Sequence, residues 1–380
     1  MTNSKAPYSD FSLLIDGKNA FPEIIKCIEN ARSSVYINMF IWRDDEIGNR
    51  VAKAVLTAAD NGAEVYISID RYGVVLEKAE ESKKSFFHKK QSLVEKIKTR
   101  SLEILYPMEN APKKAKDEYT ELYKKITSHK NITVSADVFK ADHSKYYIID
   151  DEILFLGGIN IEDKENGQDM QGRVYGDYMA KLSGGEYVKA FREHLKTGKN
   201  LSDDYFFGIN IKENGKRYFE MEKKYLGMIN SAKKELHITM AYFSPLKNFL
   251  SAIENAHKRG VKISIVIPER ANFQNDTNRK TVRKLLKATN GEVELYFSPK
   301  MLHTKLVMNE EYISFGSTNI TKKAFGQLSE LNLFVKNIRS DFTNDLLGDI
   351  KKNIEMSRKV SDYRQIKYNR LLAFFEGFLV

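Results

Sequence analysis

The sequence predicts an α/β protein made of two duplicated halves. Apolar runs of strand length alternate with stretches of helical periodicity, as in βαβ units with a largely parallel sheet. The order of these elements occurs twice along the chain. A short polar pattern also occurs twice: a His, a Lys two residues on, an acid, and a Gly-containing return to an Asn. Each half is therefore expected to form a mixed, mainly parallel sheet flanked by helices, the two packing with pseudo-twofold symmetry.

The first half opens with Leu13-Leu14-Ile15 and a helix over Ala20 to Ala31, where Phe21, Ile24, Ile25 and Ile28 recur at helical spacing. Val35 to Trp42 reads as a strand, Asn49 to Asn61 as a helix, and Val65 to Asp70 as the next strand. The second half repeats this order with a helix over Phe219 to Ala232, a strand over Leu236 to Phe243, a helix over Leu250 to Arg259 and a strand over Ile263 to Pro268. The polar stretch Thr197 to Asp204 places the boundary, giving halves 1–200 and 201–380. From Gly62 to His143 the chain runs 81 residues, against 43 from Gly260 to His303. The first half thus carries an insertion at about 72–130, rich in Lys and helical in pattern, as in Lys89 to Lys98. It reads either as an exposed helical hairpin packed on its domain or as a basic surface that meets anionic lipid or covers the active site.

Composition bounds the function. Of 380 residues, 42% are apolar, enough for a substantial core. The 61 basic against 51 acidic side chains leave a formal charge of +10, which suits an anionic partner, lipid headgroup or nucleic acid, without choosing between them. Cys27 is the single cysteine, so no disulfide forms within the chain and a reducing, cytoplasmic location is expected. No signal peptide and no membrane span is read, so work on lipid implies approach from the membrane surface. The apolar end, Leu371 to Val380, either docks on its own domain or anchors in a membrane interface.

The repeated motif carries the chemistry. The first copy is His143-Ser144-Lys145, with Asp150 seven residues after the His and Gly157-Gly158-Ile159-Asn160 closing it. The second is His303-Thr304-Lys305, with Glu310 again seven residues on and Gly316-Ser317-Thr318-Asn319 closing it. Residues i and i+2 of a strand share a face, so each His points with its Lys. The strand after the acid returns the Asn beside them. An imidazole attacks phosphorus or carries a proton, while ammonium and carboxamide donors hold phosphate oxygens as charge grows. One such pattern is readily a solvated strand face; two complete copies are not.

On these residues the chain resembles the phospholipase D superfamily, from about Asp16 to the 350s, and within it the bacterial cardiolipin synthase and related phosphatidyltransferase branch. The resemblance implies phosphodiester cleavage or transfer through a phosphohistidine, with His143 as nucleophile and His303 as general acid and then base. It assigns the phosphate to Lys145, Lys305, Asn160 and Asn319, and a His-supporting role to Asp177 and Glu330. Asp150, Glu310, Gly158 and Ser317 are its structural positions. No cofactor and no metal is implied. The second copy departs from the family in having Glu310 for Asp and a turn one residue shorter. The implied substrate is phospholipid at an anionic membrane surface. Because Asn319-Ile320-Thr321-Lys322-Lys323 lacks the Asp-Arg-Arg-Ser character of cardiolipin synthases, a nuclease or nucleotide phosphodiesterase remains the alternative. An inactive membrane- or nucleic-acid-binding protein is the alternative from another class. His194, His237, Asp44, Asp45 and Asp70 read as structural, and Tyr242 and Phe243 as either pocket lining or core.

Overall fold

The structure, a computed structural model, describes residues 6–73, 85–87, 92–105, 120–169, 171–213 and 216–379. The chain divides into two compact units, Leu14–Arg192 and a second formed by Met1–Leu13 with Glu193–Val380.

The first unit is built on a seven-stranded sheet of order β1-β8-β6-β5-β2-β3-β4. Its strands are β1 (Phe11–Ile15), β2 (Ser34–Met39), β3 (Glu64–Ile69), β4 (Ile132–Ser135), β5 (Tyr146–Ile149), β6 (Ile153–Gly157) and β8 (Tyr178–Ser183); a two-residue strand β7 (Tyr175–Gly176) precedes β8. Helices α1 (Asp16–Glu29) and α2 (Glu46–Asp60) connect the first strands. Each has one apolar face, as the spacing predicts: α1 buries Ala20, Phe21, Ile24 and Ile28, and α2 buries Ile47, Val51, Val55 and Ala58. A side chain of this size contributes about 1.5–3 kcal/mol when fully buried, so these faces fix both helices on the sheet.

The second unit repeats the plan with a nine-stranded sheet of order β10-β9-β19-β17-β16-β11-β13-β14-β20. Its strands are β9 (Tyr205–Glu213), β10 (Lys216–Phe219), β11 (Glu235–Met240), β13 (Lys262–Pro268), β14 (Glu294–Ser298), β16 (Lys305–Asn309), β17 (Tyr312–Gly316), β19 (Glu330–Lys336) and β20 (Arg358–Val360). The short strands β12 (Phe243–Ser244), β15 (Met301–Leu302) and β18 (Ile320–Thr321) lie outside it.

The duplicated α/β class is as expected, but the sheets are not mainly parallel. Within the two large sheets, parallel pairing is seen at β2-β3-β4 in the first unit and at β11-β13-β14 in the second. The βαβ crossovers produce those pairs. Hairpins build the other half of each sheet: β5 turns directly into β6 and β16 into β17, and both hairpins join β2 or β11 antiparallel. Turns of three residues between β5 and β6 and of two between β16 and β17 admit no parallel return.

The insertion is described in part. Residues 74–84, 88–91 and 106–119, including the first three of the expected helix over Lys89 to Lys98, lie outside the described residues. Two helices are described, α3 (Leu93–Leu105) and α4 (Glu121–Ser128). Phe86 and Phe87 are buried and pack on Trp42 at 5.8 and 5.3 Å between ring centroids. Helix α3 turns Glu95 inward, where it meets Arg71 at 2.8 Å, and leaves Leu93, Val94, Ile97 and Ile104 exposed.

Candidate active site

In each unit the motif lies on the hairpin beside the central strand. His143 and Lys145 sit on the extended lead-in to β5, not within a strand; Lys305 begins β16 and His303 precedes it. Both pairs nevertheless fold alike. Lys145 Nζ donates to the His143 carbonyl at 2.5 Å, and Lys305 Nζ donates to the His303 carbonyl. Both lysines are fully buried, and His143 and His303 are nearly so at 8% and 6% exposure. An ammonium with no water around it acts on a nearby anion with little screening. The Phe40 ring lies edge-on to His143 at 4.8 Å and under Lys145 Nζ at 5.1 Å, while Tyr242 takes an edge-on position to His303 at 6.4 Å.

The motif acids are anchors. Asp150 accepts the backbone N–H groups of Arg32, Ser33 and Ser34 at 2.8–3.1 Å, and the Ser33 hydroxyl at 2.9 Å. This ties the hairpin tip to the start of β2. Partial burial raises the Asp150 carboxyl, but the donated N–H groups of Ser34, Ser33 and Arg32 outweigh it and hold the group below its usual range. Glu310 does the same for β11, accepting from Lys233 at 2.8 Å and from Lys234 and Glu235 at 3.4 Å. The longer acid spans the shorter turn, with two of its three contacts stretched.

The return segments place Asn160 and Asn319, both buried. Asn319 Oδ1 accepts from the Tyr242 backbone at 3.2 Å, whereas Asn160 Oδ1 has no hydrogen-bond partner among the described residues. The two acids expected to support the histidines occupy equivalent places. Gly157 pairs with Met179 and Gly316 with Asn332, so Asp177 and Glu330 each stand two residues before the paired position. The carboxylate of Asp177 lies against Gly158, where an added Cβ would come within 2.2–2.6 Å of it. In the second unit Ser317 takes that glycine's place, and its hydroxyl donates to Glu330 Oε2 while accepting from the Leu331 N–H at 2.9 Å. Small residue and acid thus change together: a glycine admits the carboxylate against the backbone, a serine binds it.

Several supporting residues escaped the sequence reading. Asn38 on β2 donates to Asp142 at 2.9 Å and to the Ser144 hydroxyl at 3.0 Å; Ser68 donates to Asn38, and Lys140 Nζ to Ser68, both at 2.8 Å. Asp70, read as structural from the sequence, accepts the N–H groups of Tyr72, Lys140 and Asp142, fixing the segment that enters His143. Burial pushes the Asp70 carboxyl up to about 6 against those three donors. In the second unit Asn332 bridges Tyr225 Oη, Ser314 Oγ and the Thr318 N–H beneath the return to Asn319. After Asn160 comes a buried charged run, Glu162 to Glu165, in which Glu162 meets Arg43 at 2.7 Å and Lys164 at 3.3 Å. The readable signal was polar residues standing at inward positions of apolar strands, and four consecutive charges after the motif Asn.

The residues read as structural are held structurally. Asp45 caps α2 through the Gly48 N–H, and Asp44 accepts from Asn49. His194 contacts the Lys199 carbonyl and Glu220, both at 3.2 Å. His237 bridges Ser264 and Thr239, and burial pulls it down to about 4. It lines a cavity of about 320 Å³ with Ser264, Tyr296 and Ile350, a cavity that holds none of the motif residues. Phe243 is core, while Tyr242 stands beside His303.

Residues 24–194 and 225–352 match the family described as cardiolipin synthase, phospholipase D-like domain. The chain is 25% identical over 397 residues to cardiolipin synthase 2 of Staphylococcus epidermidis, covering 97% of this chain and 73% of the relative. To the cardiolipin synthase of Clostridium perfringens it is 25% identical over 385 residues, covering 93% and 74%. Among solved structures, phosphatidylserine synthase of Haemophilus influenzae superposes with a TM-score of 0.65 at 12% identity, over 96% of this chain and 92% of the other, a likeness of fold.

Proposed function

The chain belongs to the cardiolipin synthase, phospholipase D-like domain family and is an enzyme of the phospholipase D superfamily, and from that premise we propose that it transfers a phosphatidyl group between oxygens. The observation that carries this reading is the presence, in both units, of a buried His-x-Lys motif whose acid anchors the start of the neighbouring strand and whose return segment ends on a buried Asn.

In the proposed cycle an imidazole nitrogen of His143 attacks phosphorus, and the bond from phosphorus to the leaving oxygen breaks. His303, entering as imidazolium, gives that oxygen its proton. A second hydroxyl then loses its proton to His303 and attacks phosphorus, the P–N bond breaks, and His143 is restored. Lys145, Lys305, Asn160 and Asn319 hold the non-bridging oxygens, whose charge is greatest in the two transition states. Asp177 and Glu330 fix the orientation of the histidines. The donor is a phospholipid and the acceptor another lipid alcohol, such as phosphatidylglycerol, or water. A donor of this kind resides in a membrane, so the enzyme works at an anionic membrane surface.

The test sets phosphatidylglycerol vesicles beside single-stranded DNA with purified protein. Formation of cardiolipin or phosphatidic acid, abolished by His143→Ala, is expected. Cleavage of DNA with no lipid product would replace the lipid reading by a nuclease.

A further inference from the structure

The helix α11 (Arg370–Leu379) is amphipathic the wrong way round. It buries Ala373 and its one acid, Glu376, at 1% and 3% exposure, and displays Leu371, Phe374 and Phe375 at 64%, 56% and 45%. Positions 371, 374 and 375 recur at i, i+3 and i+4, so the three share one outward face. The two phenyl rings pack on each other at 5.8 Å.

This orientation is held firmly. The Glu376 carboxylate accepts the Thr277 N–H at 2.7 Å, in the first turn of the helix α8 (Asn275–Ala288). Carboxylates are favoured at a helix N-terminus, where N–H groups lack partners. The Thr277 hydroxyl donates to the Ala373 carbonyl at 3.3 Å, and the Asn369 N–H donates to Asp276 at 2.6 Å. Rolling α11 over to hide its phenylalanines would break the two contacts made through Glu376 and the Ala373 carbonyl and leave the Thr277 N–H without its acceptor.

The surroundings are basic. On α8, Lys280, Lys284 and Lys287 are exposed at i, i+4 and i+7, in a row that begins one turn beyond Asp276. Arg364, Lys367 and Arg370, leading into α11, are exposed too. The acids of this stretch are engaged: Asp276 with the Asn369 N–H, Asp362 with Arg364 at 2.9 Å, and Glu376 with Thr277. Aromatic and aliphatic side chains flanked by exposed cations match one partner, an interface of hydrocarbon and anionic headgroups.

We propose that Leu371, Phe374 and Phe375 of α11, flanked by the α8 lysine row, form the surface by which the protein docks on an anionic phospholipid bilayer. The proposal rests on the lipid reading above and adds to it the element that enters the membrane. The three side chains insert at the boundary between headgroups and acyl chains, and the lysines meet headgroup phosphates. The tether would keep the enzyme on the surface where its donor lies, so it acts on the concentration of enzyme at the vesicle, not on chemistry.

The test compares the wild-type chain with two variants, Leu371→Gln/Phe374→Gln/Phe375→Gln and Lys280→Gln/Lys284→Gln/Lys287→Gln. Sedimentation with phosphatidylglycerol–phosphatidylcholine vesicles is read alongside turnover of a short-chain, water-soluble phosphatidylglycerol. The substituted side chains are solvent-exposed, and circular dichroism checks that both variants fold. Vesicle affinity is expected to fall on the order of 100-fold in each. The lysine variant should differ from wild type at low salt and converge with it at high salt. Turnover of the short-chain lipid should be unchanged. Undiminished vesicle binding by the α11 variant overturns the proposal. So does a wild-type dimer that the α11 variant dissolves while vesicle binding stays, since the face would then join two copies of the chain. A wild-type protein that turns over short-chain lipid yet ignores vesicles overturns the docking surface and leaves the lipid reading standing. One that turns over neither lipid while cleaving a nitrophenyl phosphodiester overturns both.

Discussion

Replacing Asp150 tests whether the acid of the first motif is an anchor or a reactant. Its carboxylate takes three backbone N–H groups and one hydroxyl, all at 2.8–3.1 Å. A hydrogen bond to a charged group contributes about 1.5–3 kcal/mol net. Water reaches this partly exposed cluster and replaces a lost acceptor, so the sum is discounted to about 2 kcal/mol for Asp150→Asn. Asp150 also has φ +53, which Asn accepts and Ala resists by about 1–2 kcal/mol. Asp150→Ala should therefore lose about 3–4 kcal/mol in urea unfolding, followed by near-ultraviolet circular dichroism. Because the carboxyl is held below its usual range, its contribution is present above the unfolded value near 4 and is lost as pH falls through the lowered folded value. The gap between wild type and Asp150→Asn should accordingly close in acid. Glu310→Gln should cost less, since two of its contacts are 3.4 Å long. At a temperature where both variants are folded, kcat should stay within about tenfold of wild type, far from the ~10²–10⁴-fold of a lost acid–base group. Wild-type stability with kcat abolished would refute the anchoring role.

Three further outcomes follow from the structure and the proposed cycle. His237, pulled down to about 4 by burial, must stay neutral in the fold, so stability is lost as pH drops from about 6.5 toward 4; His237→Gln should flatten that acid limb, worth up to about 3 kcal/mol, in urea titrations across pH. Gly158→Ala places a methyl within 2.2–2.6 Å of the Asp177 carboxylate, so kcat should drop at least tenfold while the far-ultraviolet spectrum is kept; an unchanged kcat would detach Asp177 from the site. In the proposed cycle Lys145 and Lys305 meet the phosphate charge, so chelator should leave turnover unchanged, and loss in EDTA restored by Mg²⁺ or Zn²⁺ would count against that cycle.

The motif was legible because its spacing is local. His143 and Lys145 lead into the β5–β6 hairpin, Asp150 lies in its turn and Asn160 follows it, so one short stretch of chain carries all four. Element order was legible for the same reason, with boundaries shifted by a few residues, as at α1, which begins at Asp16 and not at Ala20. Sheet direction was not. Alternating strands and helices imply crossovers, yet β8 and β19 pair antiparallel with hairpin strands, a choice made by the whole sheet. Asn38 and Asn332 were hidden within apolar strands, where a polar residue gains meaning only from partners 104 and 107 positions away. The reversed polarity of α11 was equally invisible, because Glu376 is buried by Thr277, a residue 99 positions earlier.

The central claim is that phosphorus is carried on His143 midway through the cycle. A nitrophenyl phosphodiester needs little help in losing its leaving group, but hydrolysis of the resulting adduct still needs His303. Given that substrate, His303→Ala should release one burst of nitrophenol per active chain and stall, with an acid-labile adduct that mass spectrometry maps to the peptide holding His143. Steady turnover with no adduct on either histidine would contradict the account.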